Sequence, residues 1–127
     1  MGKSIINICL LVYDYDEAID FYVKTLNFVL KEDTPVSEKK RWVTVSPSDE
    51  GDCSIVLNKI NNNQKSLVGN QAGEKVLFIV QTDDVDKDYQ SFLEKGVSII
   101  QKPTKLPHGK VMIIKDIYGN KIDFIEK

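Results

Sequence analysis

Asp123, His108 and Cys9 are the side chains of this sequence best equipped for chemistry. A thiol with an imidazole is the raw material of a nucleophile, and the three together would offer sulfur, nitrogen and oxygen donors to a metal ion. His108 is the sole histidine of the chain, which excludes any motif built on two imidazoles. Cys9 lies in an apolar run where a small buried side chain is the simpler role, and His108, between Pro107 and Gly109, reads as a solvated loop residue. Asp123 has a functional role open to it, as a ligand-orienting carboxylate or general base. It has structural ones too, hydrated at a rim or paired with Lys121 or Lys110. Arg41 and Trp42 are neighbours on a strand-like run, so alternation lets only one face inward. An inward Trp42 would stack an aromatic ligand and an inward Arg41 would grip an anion, while core packing is the plainer role for the indole.

The elements that must position these residues come in two copies. Asp14 and Asp83, Asn27 and Gly96, Val43 and Met112, and Val45 and Ile114 are each 69 residues apart. Both halves read β-α-β-β-β, and one such unit leaves an apolar sheet face that needs a partner. In the first half Ile5 to Val12 alternates, with Ile6, Ile8, Leu10 and Val12 toward a helix and Asn7, Cys9 and Leu11 opposite. Asp14 and Asp16 offer helix caps, Ala18, Ile19, Tyr22, Val23 and Leu26 recur at helical spacing, and Asn27 suits the left-handed residue that ends a helix. A short strand over 28–31, a loop over 34–40, strands over 41–46 and 54–58, and a turn over 47–52 complete the module. Residues 59–74 are polar and aperiodic and read as a linker; the fragment Gly69 to Lys75 lacks the Gly-Lys-Ser/Thr ending of a phosphate loop. The second half repeats the order: a strand placing Leu77, Ile79 and Gln81 opposite Val76, Phe78 and Val80, a helix capped by Asp83 and Asp84 and closed by Gly96, a strand over 97–101, a loop over 103–109, and a hairpin of 111–115 and 121–125.

Composition bounds the function. The 127 residues carry 42% hydrophobic side chains, enough for one globular domain spanning residues 1–127, with modules over 5–58 and 75–126. With 17 basic and 19 acidic residues and no basic block, nucleic acid is not an expected partner. No apolar run reaches membrane-spanning length, the N-terminal Met1-Gly2 sequence has Ile6 where an acylation site needs Ser or Thr, and two cysteines without a secretory leader imply reduced thiols in a cytoplasm.

Leu11-Val12-Tyr13-Asp14, Ala18 to Tyr22 and Leu26-Asn27-Phe28, then Thr82 to Asp86, Lys95-Gly96-Val97 and Asp116 to Ile122, resemble the vicinal oxygen chelate superfamily of glyoxalases, bleomycin resistance proteins and extradiol dioxygenases. The resemblance covers almost the whole chain. It implies an α+β fold of two tandem βαβββ modules with curved mixed sheets enclosing a cavity, a homodimer, and Tyr13, Phe21 and Tyr22 as scaffold. It also implies four metal-ligand positions, which here are Asn7, Val56, Leu77 and Asp123. Valine and leucine cannot ligate, so no metal and no other cofactor is expected, a divalent ion entering only through unusual donors.

The expected cavity wall is therefore Asn7, Cys9, Leu11, Val56, Leu77, Ile79 and Asp123, with Trp42 and His108 as further contacts. A mostly apolar wall with few polar groups suits a small, partly hydrophobic organic molecule. The alternative is a lyase, isomerase or dioxygenase of the same superfamily, or a metal-free enzyme with Asp123 as base.

Overall fold

The computed structural model describes residues 2–51 and 53–127; Met1 of the acylation comparison and Asp52 of the 47–52 turn lie outside them. The chain divides into two compact units, residues 1–68 and 69–127. Each is a βαβββ module with one four-stranded mixed sheet, the α+β fold expected.

The first module runs β1 (Asn7–Val12), α1 (Tyr15–Ile19) continuing as a π turn (Asp20–Thr25), β2 (Val29–Pro35), β3 (Arg41–Ser46) and β4 (Ser54–Lys59). Its sheet order is β1-β4-β3-β2, with β1 and β4 parallel and the other pairs antiparallel. Leu10, Val12, Val43, Val45, Ile55 and Leu57 are buried with Ala18 and Tyr22 of the helix, and Tyr22 packs against Phe21 and Phe28. A 3-10 helix, Asn62–Leu67, comes next, closed at its start by reciprocal bonds between Asn61 and Gln64. The expected unstructured linker thus contains an element that short polar sequences do not announce.

The second module runs β5 (Val76–Gln81), α2 (Val85–Glu94), β6 (Ser98–Leu106), β7 (Gly109–Lys115) and β8 (Lys121–Glu126), in sheet order β5-β8-β7-β6. Val80, Met112, Ile114, Ile122 and Phe124 are buried beneath Val85 and Phe92, with Phe92 and Phe124 in an edge-to-face contact at 5.3 Å. The β7–β8 turn closes on Asp116, whose side-chain oxygens accept from the Tyr118 and Asn120 amides and the Asn120 side chain, which satisfies a buried polar group.

One residue separates the copies. The second helix is capped by Asp84, whose side chain accepts from the Lys87 amide, rather than by Asp83. The first cap, Asp14 on Glu17, is therefore 70 residues away from its counterpart, while the left-handed residues that end the helices, Asn27 and Gly96, are 69 apart. The first helix holds the extra residue, and the π turn Asp20–Thr25 absorbs it, as single insertions in helices commonly are. Two strands also extend further than expected. β2 continues to Pro35 through a register shift between Leu30 and Glu32, and β6 runs to Leu106, so that the expected 103–109 loop shrinks to a turn at Pro107 and His108. Cross-strand bonding to β3 and β7 overrides the weak strand propensity of Lys31-Glu32-Asp33 and Lys102-Pro103.

Candidate functional site

Residues paired across a sheet point to the same face, so the registers show what each module presents opposite its helix. In the first module one row crosses all four strands: Cys9, Val56, Thr44 and Glu32. In the second the matching row is Ile79, Asp123, Ile113 and Gln101. Each row holds one carboxylate, Glu32 in the first and Asp123 in the second.

Asp123 sits between hydrocarbon neighbours, Ile79 on β5 and Ile113 on β7. Its Oδ1 is buried and has no hydrogen-bond partner among the described residues. The two lysines considered as partners go elsewhere: Lys110 Nζ binds the Asp86 carboxylate, and Lys121 Nζ donates to the Glu74 carbonyl at 3.1 Å. Burial consequently pushes the Asp123 carboxyl above its ordinary value, and its electrostatic interaction with His108 acts the other way. His108 is exposed, in the tight turn between β6 and β7 rather than in a loop, yet the structure brings it within electrostatic reach of Asp123.

Of the other expected wall residues, Ile79 is 65% exposed, a large apolar side chain left open on the Asp123 face. Leu77 is half-buried and falls at a register shift in β5 between Val76 and Phe78, so strict alternation from Ile79 does not carry through it. Asn7 is half-buried, with its side-chain amide donating to the Ser54 carbonyl at 3.4 Å, and Leu11 is half-buried opposite Asn58. Val56 is buried. Cys9 is exposed, not the buried small residue expected, because β1 is the edge strand of its sheet, whereas Val56 beside it on β4 is covered; neither Cys9 nor Cys53 is in a disulfide.

The choice between Arg41 and Trp42 is resolved by their partners. Arg41 lies on the helix side, with its guanidinium on both oxygens of Asp33 (3.1 and 2.8 Å) and on Asp16 (3.0 Å), stacked over the Tyr15 ring at 5.1 Å. This pairing holds the Asp33 carboxyl below its ordinary value and Arg41 above its own. Trp42 lies on the opposite face, 39% exposed, and its Nε1 donates to Glu32 Oε2 at 2.8 Å. The fully buried Thr44 donates to the same oxygen at 3.0 Å. Sequence reasoning missed Glu32, because β2 was expected to stop at Lys31, and with it the role of Thr44, which lies in the expected 41–46 strand but has no visible partner without Glu32. Tyr13, expected as scaffold, is 47% exposed and donates to the Lys65 carbonyl at 3.3 Å.

A polar cleft of about 820 Å³ lies elsewhere in the first module, lined by residues including Tyr15, Lys39, Lys40, Asn58 and Lys59. It contains none of the expected wall residues.

A family model described as the Glyoxalase/Bleomycin resistance protein/Dioxygenase superfamily matches residues 4–124. The chain belongs to this superfamily. It is 41% identical to an uncharacterized protein of Shewanella frigidimarina (strain NCIMB 400), over 99% of this chain and 95% of that one. Among solved structures it is similar to TnmS3, an antibiotic binding protein from Streptomyces sp. CB03234, with a TM-score of 0.81 and 30% identity over 98% of this chain and 96% of that one. It is also similar to UcmS2, with a TM-score of 0.85 and 25% identity over 98% of both chains. No helix among the described residues is long and apolar enough to cross a membrane.

Proposed function

We propose that this superfamily member binds a small, partly hydrophobic organic molecule against the face of the second module's sheet opposite its helix, without a metal ion, as a cytoplasmic homodimer. The observation that carries the reading is Asp123, a carboxylate with one buried oxygen lacking a hydrogen bond among the described residues, set between Ile79 and Ile113. A polar atom in that condition is costly unless a guest supplies the missing donor. Ile79 offers apolar area for the same guest, and the antibiotic-binding role of TnmS3 supports the ligand class.

The donor set does not fit the superfamily's metal. Of Asn7, Val56, Leu77 and Asp123, two are hydrocarbon, and among the described residues no three His, Cys, Asp or Glu side chains gather as ligands. A thermal-shift screen of chelator-treated protein against aromatic and hydrophobic compounds tests the reading. Binding that survives metal removal and weakens in Asp123→Ala is expected. Silence across the panel, or a stoichiometric metal lost in Asp123→Ala, would contradict it.

One observation favours a second reading, a metal-free isomerase or epimerase. Burial raises the Asp123 carboxyl in the direction a general base needs, with His108 near enough to influence it. Turnover abolished by Asp123→Asn with ligand affinity retained would select it.

A further inference from the structure

We propose that the first module carries a subsite for a planar aromatic cation, with Trp42 as stacking platform and Glu32 as its counter-charge. The inference rests on the small-molecule reading above and names the charge class of ligand that the first module's sheet would take.

The carboxylate is fixed in place. Trp42 Nε1 and Thr44 Oγ1 both donate to Glu32 Oε2, at 2.8 and 3.0 Å, and Glu32 Oε1 accepts no hydrogen bond among the described residues. Thr44 is fully buried, so one of the two anchors belongs to the rigid sheet, whereas the indole remains 39% exposed. The basic residues next to Glu32 and Trp42 in the sequence, Lys31 and Arg41, are held by other acids. Arg41 is on the helix side with Asp33 and Asp16, and Lys31 binds the Asp49 carboxylate at 3.5 Å and its carbonyl at 3.3 Å. Val56 supplies apolar surface in the same row, beside Thr44.

An indole face attracts cations through its quadrupole, and a neighbouring carboxylate adds a charge-assisted acceptor. A protonated ring nitrogen or an aromatic amidine satisfies both at once: its π face lies on Trp42 and its N–H donates to Oε1. A neutral aromatic of the same shape gains the stacking alone, and an anion meets Glu32 directly.

Calorimetric titration with 9-aminoacridine, acridine and anthracene-9-carboxylate at neutral pH presents the same tricyclic shape as cation, neutral molecule and anion. Trp42 is the only tryptophan of the chain, so quenching of its fluorescence reports occupancy of this face. The cation is expected to bind about tenfold more tightly than the neutral compound, with the anion weakest. Glu32→Gln is expected to erase the preference and leave the neutral compound within about twofold of its wild-type affinity, since only the charge-assisted bond is lost. Should that variant fold poorly, quenching of Trp42 in the wild-type protein still tests the proposal, because a charge-based preference at this face must shrink as salt is added and must persist in Asp123→Ala. Equal binding of cation and anion, a preference insensitive to salt, or one retained in Glu32→Gln overturns the proposal. If neutral aromatics bind and Asp123→Ala weakens them while charge is ignored, this inference alone falls; if no compound of any charge binds, the reading beneath it falls as well.

Discussion

Asp123 costs the fold something, and the cost has a pH signature. Its carboxyl is raised in the folded protein by desolvation, so the stability it permits is fully present below the ordinary value of 3.8 and is lost as pH rises through the higher folded value. Asp123→Asn is therefore expected to be more stable than wild type at pH 7 by about 1 kcal/mol, discounted for partial solvent exposure, with the gap closing below the unfolded pKa. Urea midpoints measured across pH check it; a variant destabilised at pH 7 would show the carboxylate to be well solvated. Arg41 gives the opposite case. Its bonds to Asp33 and Asp16 are structural, so Arg41→Met should cost roughly 0.5–1 kcal/mol of stability and leave ligand affinity unchanged by calorimetry. At this scale the sequence was readable where alternation was regular: Cys9, Val56, Ile79 and Asp123 lie where period-2 reasoning put them. It failed at register shifts, which hid Glu32 and blurred Leu77, because a single extra residue reverses the facing of every later side chain in the strand.

At the scale of elements, the repeat could be read in the strands and helices but not in its one-residue slip. Val43 with Met112 and Val45 with Ile114 are all fully buried, as equivalent core positions should be. The slip was invisible because Asp83 and Asp84 are both competent caps, and only the hydrogen bond to Lys87 distinguishes them. Deleting exposed Lys24 from the π turn is expected to restore an ordinary α-helix with the spacing of α2. The deletion should keep cooperative unfolding by circular dichroism, whereas loss of the fold would mean the extra residue is needed. Gly69 offers a sharper test. Its φ is +77°, and a Cβ there would lie 1.8 Å from the Tyr118 carbonyl oxygen, so Gly69→Ala should cost roughly 3 kcal/mol or more. Gly73, at φ +63° with nothing within 4 Å, meets no such obstacle, and Gly73→Ala should cost only about 1 kcal/mol. Comparing the two melting temperatures separates collision from backbone strain.

For the whole molecule, superfamily membership emerged from the order of modest signals along the chain rather than from any one motif, and the match over residues 4–124 agrees with that breadth. The proposed site was legible in the sequence only in part: Asp123 could be picked out, with hydrocarbon at Val56 and Leu77, two of the four positions that the family resemblance implies as metal ligands, while the row ending in Glu32 could not. Homodimerisation adds a testable element, since sedimentation equilibrium should give twice the 14.4 kDa chain mass, and a concentration-independent monomer would remove it. The most direct measurement is the melting temperature of chelator-treated protein with and without a saturating aromatic or hydrophobic compound. At a ligand concentration a hundred times Kd, stabilisation of about 2.7 kcal/mol is expected, a rise of roughly 8–12 °C for a chain this size. A rise that appears only after a divalent ion is restored, and disappears in Asp123→Ala together with that ion, would contradict metal-free binding.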